Sequence, residues 1–306
     1  MITSPRPAPS SPRRLFSRES ARRLSHRLEY AALVAVAWVL ARLGVDRASS
    51  FMGWAWRTFA PLNARQARVE AHLAASFPDW DAEKRRAVIG DMWENLGRTA
   101  AETILLSELL RDPTRFDASR LPADTFERAR GGAVFVSLHT GNWEIVSVPL
   151  AAHGLDLHAV YKPLRNPAVE TWLAERRRAL YAAGLMPIDR TIALKMKSLA
   201  QSGATLAILA DLKDRRGLVL DFFGRPAPVT TFPALIARRL GLPLFVGRSI
   251  RTEGARFRLD GRWLEVPKTE SAAADVEALT RSINAVFEEW IREYPAQWMW
   301  AHRKWL

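Results

Sequence analysis

The stretch Gly131-Gly132-Ala133-Val134-Phe135-Val136-Ser137-Leu138-His139-Thr140-Gly141-Asn142-Trp143-Glu144 decides the fold of this chain. A double glycine releases an apolar, β-rich run that ends on a histidine, and a tight Thr-Gly-Asn turn follows. The apolar pattern resumes at Trp143, Ile145, Val146, Val148 and Leu150, now at helical spacing. Strand, loop and helix start are predicted in that order, with Asn142 or Thr140 as N-cap. His139 then stands at the carboxyl end of a strand, the edge where open α/β sheets place their ligands. Glu144 falls in the first helical turn, able to face back towards the imidazole. A carboxylate there fixes the ring tautomer and stabilises the imidazolium, which makes His139 a general base near neutral pH. The His-x4-Glu spacing alone also fits a hydrogen-bonded core histidine, so the rest of the chain carries the decision.

Downstream, strand and helix alternate. Leu157–Tyr161 reads as a strand, followed by the basic, proline-pinned loop Lys162-Pro163-Leu164-Arg165-Asn166-Pro167. A helix over 168–183 and a strand over Leu185–Ile188 come next, then a helix over 192–202. Ala204–Ala210 is a buried strand ending on Asp211. The polar loop 213–217 leads to a strand over 218–223, and Thr231-Phe232-Pro233 opens a helix closed by Gly241. Leu244–Ile250 is a strand, and a hairpin is predicted to turn at Asp260-Gly261. A last amphipathic helix runs to Pro295 before Gln297-Trp298-Met299-Trp300-Ala301-His302-Arg303-Lys304-Trp305. The fold class is α/β, with a mixed, mainly parallel central sheet flanked by helices.

Upstream the grammar is helical. Residues 1–25 read as a disordered basic tail and 26–60 as a membrane-associating helical segment. Residues 61–130 form a helical region packed on the α/β domain at 131–306. The uncharged run Tyr30–Leu40 is short of the ~20 residues that span a bilayer. With arginines before it and Trp54, Trp56 and Phe59 after it, an interfacial or partly inserted helix is expected; a buried core helix is the alternative. Residues 61–130 pair apolar positions at three and four, with Asp81 as a cap.

In a chain of 306 residues, the formal net charge of +13 points to an anionic partner, nucleic acid or an acidic membrane. Twelve tryptophans favour the membrane, because indoles prefer the headgroup layer. The absence of cysteine excludes disulfides, thiolate zinc sites and a cysteine nucleophile. Phosphate-cradling glycine loops, the G-x-S-x-G elbow and H-E-x-x-H are missing, and no nucleic-acid-binding motif is visible.

His139/Glu144, Arg165-Asn166-Pro167, Asp211 and Phe222-Phe223-Gly224 come in this order, after Ser76-Phe77-Pro78 and Asn95-Leu96-Gly97-Arg98-Thr99 and before the Trp-rich tail. In this set the chain resembles the bacterial lipid A biosynthesis acyltransferases. They are the lauroyl/myristoyl branch of the lysophospholipid acyltransferase superfamily, whose mark is a His-x4-Asp/Glu box. The chain departs from that family at Leu212, where Gln or His is common, and at Phe232, where Gly is common.

The resemblance implies transfer of a fatty acyl chain from an acyl carrier protein, or coenzyme A, to a hydroxyl of a glycolipid such as a lipid A precursor. It implies work at the cytoplasmic face of the cell inner membrane, with the N-terminal segment as anchor and an anionic surface as partner. Neither nucleic acid, nor a cofactor, nor a metal is expected. His139 is assigned as base and Glu144 as its orienting partner, with backbone N–H groups at Thr140, Gly141 and Asn142 stabilising the oxyanion. Arg165, beside Asn166, is expected to anchor an acceptor phosphate. Asp211 orients Arg165 or a polar substrate group, or is a plain strand-end carboxylate. His302 and the tail tryptophans are read as structural. Two alternatives stand beside this reading: another acceptor (a lysophospholipid, ornithine lipid or sugar lipid), or a non-enzymatic binder of anionic lipid or nucleic acid.

Overall fold

A computed structural model describes the backbone of residues 13–189 and 191–306, and side-chain burial from Glu19 onward except at 190 and 193. In chain order, α1 (Arg13–Phe59), α2 (Gln66–Ser76), α3 (Ala82–Ile104) and α4 (Leu106–Leu109) precede β1 (Phe116–Asp117) and α5 (Thr125–Ala129). Next come β2 (Val134–Ser137), α6 (Val148–Ala152), β3 (Leu157–Tyr161), α7 (Pro167–Arg177), β4 (Gly184–Pro187), α8 (Ile192–Gln201) and β5 (Thr205–Leu209). The chain closes with β6 (Lys213–Phe222), β7 (Arg225–Val229), α9 (Phe232–Leu240), β8 (Leu244–Glu253), β9 (Arg256–Leu264) and α10 (Ala272–Glu293).

The main sheet has the order β1-β9-β8-β2-β5-β3-β4. Strands β8, β2, β5, β3 and β4 are mutually parallel, while β9 lies antiparallel on β8. Helices cover both faces, so all four residues of β2 are buried. Alternation then sends successive side chains into different cores. Val134, Val136, Leu206 and Ile208 join the cluster under α9 and α10, whereas Phe135, Ala207 and Phe245 join the one that holds Leu150 of α6. Because β2 and β5 are parallel neighbours, their carboxyl ends bring residues 139 and 211 together.

The helices obey the local signals. Asp81 caps α3 by accepting from Lys84 N, and Gly241 ends α9 in the left-handed region. The helix after His139 is shorter than expected: Asn142 caps a single 3-10 turn, Trp143–Ile145. The helix α7 stops at Arg177 rather than at 183, and the polar residues 213–217 extend strand β6 across a bulge. The turn expected at Asp260-Gly261 does not form. Those residues lie inside β9, and the chain reverses near Gly254, whose φ is +51°. Gly261 is instead required by packing, since a Cβ there would come within 2.4 Å of the Phe245 ring.

Residues 1–12 of the expected disordered tail lie outside the described residues, and α1 already begins at Arg13. That helix is broken at Gly44 (φ +72°, ψ +167°). Its second part packs on α3. Ala48 joins Ala101 and Leu105 in a small buried core, and Gly97 lets the α1 backbone approach so closely that a Cβ would sit 2.3 Å from Met52 O. Its first part stays open, with Leu24, Leu28, Val36 and Trp38 exposed. Glu19–Leu62 contains an 18-residue window of mean hydropathy 1.7, long and apolar enough to cross a membrane. The apolar stretch is thus longer than the run of uncharged residues suggested, and it suits membrane association better than the buried-helix alternative.

Candidate active site

His139 leaves β2 at the carboxyl edge and is fixed at three points. Its Nδ1 is 2.7 Å from Asp211 Oδ1, its backbone N–H donates to Asp211 Oδ2 (3.0 Å), and its carbonyl accepts from Met299 N (3.1 Å). A carboxylate on Nδ1 selects the tautomer protonated there and leaves Nε2 as the basic nitrogen. Asp211 is fully buried. Burial alone raises a carboxyl pKa, but the charge and hydrogen bonds of His139 outweigh it and hold Asp211 below the ordinary carboxylate range. Trp298 Nε1 also donates to Asp211 Oδ2 (2.9 Å), and Lys304 Nζ donates to its carbonyl (2.8 Å).

The carboxylate that meets His139 is therefore Asp211, not Glu144 as expected from the spacing. Glu144 is buried, and both its oxygens are taken by Arg177 of α7, with Nε at 2.8 Å from Oε2 and Nη2 on Oε1. Burial works against the Arg177 cation, but Glu144 prevails and raises its pKa. The cause is the single helical turn at Trp143–Ile145, which aims Glu144 sideways at α7.

The expected oxyanion donors are likewise occupied. Thr140 N donates to Leu138 O (2.8 Å), Gly141 N to Gln297 O (3.1 Å) and Asn142 N to Ser249 Oγ (3.0 Å). These bonds make Thr140, Gly141 and Asn142 a rigid floor rather than a substrate cradle. Gly141 has φ +56°, and a Cβ there would lie 2.1 Å from Ser249 O. Beneath it, Asn95 Nδ2 and Thr99 Oγ1, one turn apart on α3, both donate to Gly141 O at 3.0 Å. Asn142 Nδ2 donates to Glu102 Oε2 (2.9 Å), and Glu102 is held by Arg251. The Asn95–Thr99 stretch thus works as a buttress, a role its sequence alone did not disclose.

Asn166 caps α7 by accepting from Ala168 N (3.1 Å), and its Nδ2 donates to His26 O (2.8 Å) and Glu29 Oε2 (3.0 Å) of α1. Its side chain is a tether, not a free substrate contact. Arg165 is exposed on the same loop and lines neither of the cavities that Trp143 borders. Asp211 lies on His139, so the suggestion that it orients Arg165 gives way as well.

Three groups of the C-terminal tail surround the dyad, of which His302 and Trp298 were expected to be structural and Lys304 carried no expectation. The ring of His302 lies 5.0 Å from that of His139, centroid to centroid, and burial, reinforced by His139, lowers its pKa to about 4. Lys304 is fully buried, and burial brings its pKa down to about 8 against the pull of Asp211. Trp298 closes the set. No local pattern pointed to this role, since the bonds from Trp298 and Lys304 to Asp211 span 87 and 93 residues; only tertiary folding shows that the tail crosses under the dyad.

Trp143 packs edge-on to His139 at 5.0 Å and borders two apolar cavities. The larger, about 390 Å³, runs between α1, α3 and α7 and is lined by Leu33, Trp56, Leu96, Trp172, Leu173 and Met299 among others. The smaller, about 70 Å³, lies against the sheet beside Phe135, Ala159 and Ala207. Glu144 and Arg177 stand in the wall common to both. An imidazole packed on Trp143, in the wall of an apolar groove of this size, is placed where it could deprotonate a hydroxyl while a hydrocarbon chain lies alongside. Among the described residues no cluster of side chains suited to a metal ion is found.

Residues 18–306 match the family described as bacterial lipid A biosynthesis acyltransferase. The chain is also similar to a phosphatidylinositol mannoside acyltransferase of Mycolicibacterium smegmatis, at 26% identity over 180 residues, 57% of either chain. The Mycobacterium tuberculosis H37Rv protein of the same name is 24% identical over 188 residues, 57% of this chain and 55% of its own length. The chain spans a little over half the length of these curated relatives. With nearly the whole sequence matched and the box histidine on the sheet's carboxyl edge, this chain belongs to the bacterial lipid A biosynthesis acyltransferase family.

Proposed function

We propose that this protein is a membrane-associated O-acyltransferase that moves a fatty acyl chain from a thioester donor to a hydroxyl of a glycolipid. The observation that carries the reading is the His139–Asp211 pair, whose imidazole packs on Trp143 in the wall of the apolar groove. The acceptor hydroxyl has a pKa far above neutrality and needs a base as it attacks. His139 Nε2 takes that proton while the oxygen bonds to the thioester carbonyl carbon. The tetrahedral intermediate then expels the thiolate, which recovers the proton from the imidazolium. Asp211 keeps the ring in the required tautomer and stabilises its charged form. The hydrocarbon chain lies in the groove, and the Glu144–Arg177 pair shapes its wall.

The donor is acyl carrier protein or coenzyme A, and the working place is the cytoplasmic face of the inner membrane with α1 as anchor. The acceptor is a lipid A precursor or a mannosylated phosphoinositide. The family description favours the first, the names of the curated relatives the second. The test is to incubate the purified protein with mixed acyl carrier protein and coenzyme A thioesters and a total lipid extract, then identify by mass spectrometry which lipid gained a chain. A gain of ester-linked chain on a glycolipid, lost in His139→Ala, is expected; no gain on any lipid overturns the reading.

A further inference from the structure

Strands β3 and β4 are parallel neighbours, with Tyr161 opposite Pro187, so the segments that follow them leave the carboxyl edge of the sheet side by side. Ile188 N donates to Tyr161 O (2.9 Å), which ties the two exits together. Each exit presents bulky aliphatic side chains to the outside. Leu164 is 46% exposed, Ile188 58%, and Leu194, in the first turn of α8, 73%. A single exposed leucine is ordinary, but three on adjacent exits form a patch that water does not favour.

The patch continues onto α1. Through Asn166, the β3–α7 loop is hydrogen-bonded to α1 at His26 and Glu29, and α7 packs against α1. The neighbouring α1 side chains Leu24 and Leu28 are also more than half exposed. The rim carries Arg27, Lys162 and Arg165, all exposed, and the one carboxylate next to Ile188, Asp189, is paired with Lys195 of α8, on a chain of net charge +13. Aliphatic side chains bordered by an excess of arginine and lysine, continuous with an unburied apolar helix, fit an anionic bilayer.

We infer that the loops after β3 and β4, through Leu164, Ile188 and Leu194, form a second membrane contact beside α1. The carboxyl edge of the sheet then faces the lipid. The groove, bounded by Leu33 of α1 and Trp172 of α7, opens sideways into the bilayer, so a lipid chain need not leave the membrane to lie against Trp143, on which the His139 ring packs.

The chain has no cysteine, so single cysteines can be placed and labelled cleanly. Full-length Leu164→Cys, Ile188→Cys and Leu194→Cys proteins carry a polarity-sensitive fluorophore. Trp38→Cys on α1 is the positive reference. Ala278→Cys, exposed near the start of α10 towards the opposite edge of the sheet, is the negative one. On adding phosphatidylglycerol/phosphatidylcholine vesicles, labels at 164, 188, 194 and 38 should brighten several-fold and shift to the blue, while 278 stays unchanged. A response at 38 with none at 164, 188 and 194 overturns the inference, because α1 alone then holds the membrane. Blue emission without vesicles that grows with protein concentration overturns it as well, since the patch then covers a second copy of the chain. This readout needs no turnover, so the outcome is independent of the proposed reaction.

Discussion

Asp211 and Glu144 are both buried near the carboxyl edge of the sheet, yet one meets an imidazole and the other a guanidinium. Glu144 is five residues from His139 along the chain; Asp211 is seventy-two residues away. At the end of a strand, the next strand is only about 4.8 Å distant, so the residue at the end of β5 is the nearer neighbour in space. The two also differ in support. Asp211 has three donors converging on its carboxylate from His139 and Trp298, and a buried lysine on its carbonyl. Glu144 hangs from a single helical turn and gains its order from Arg177. The first arrangement suits proton transfer, the second suits a wall in which a half-buried guanidinium holds a buried carboxylate in place.

The contrast can be broken most sharply by kinetics. His139→Ala should lower turnover by about 10³-fold or more while the protein stays folded and vesicle binding is unchanged. Asp211→Asn should follow at roughly 10³-fold in kcat, with little effect on KM, because the amide favours the wrong tautomer. If Glu144→Gln, folded and membrane-bound, costs as much in kcat as Asp211→Asn, the two roles have been assigned the wrong way round.

Stability measurements should show the opposite ranking. Glu144→Gln or Arg177→Met alone leaves a buried charge without its partner and should cost about 3 kcal/mol in denaturant unfolding. The Glu144→Gln/Arg177→Met double variant should recover most of that loss. Additive losses would mean that the pair is not the unit the geometry indicates.

The last effect concerns pH and appears only below neutrality. His302 has its pKa lowered from the ordinary 6.5 to about 4, so it is neutral in the folded protein through that interval. Above pH 6.5 it does not influence stability. As the pH falls from 6.5 to 4, the unfolded chain takes up a proton that the folded chain refuses, and stability declines by up to about 3 kcal/mol. His302→Gln should flatten that part of the stability profile. An unchanged slope between pH 6.5 and 4 would show that the tail imidazole is not held neutral against the dyad.

Much of this molecule was legible from local patterns. Buried β-rich runs ending on His139 and Asp211, the Asp81 cap and the Gly241 terminus all follow from side-chain periodicity and backbone preference over a few residues. Asp260-Gly261 misled because a two-residue glycine turn and a glycine that makes room for an aromatic ring look alike in one dimension. Only the position of Phe245 distinguishes them. The tail tryptophans were correctly read as packed, but their reach to Asp211 was hidden, since hydrogen bonds over such sequence separations leave no periodicity.

By itself the sequence determined the α/β alternation, the histidine at a strand end and the apolar, basic character of α1. These are matters of local propensity and composition. The tertiary structure alone decided which carboxylate serves His139, that the backbone N–H groups of Thr140, Gly141 and Asn142 are already spent, and that Asn95, Thr99 and the C-terminal tail hold the loop from beneath. The reason is physical. Strand order and helix direction set distances between residues far apart in the chain, and a hydrogen bond forms only where those distances fall near 3 Å.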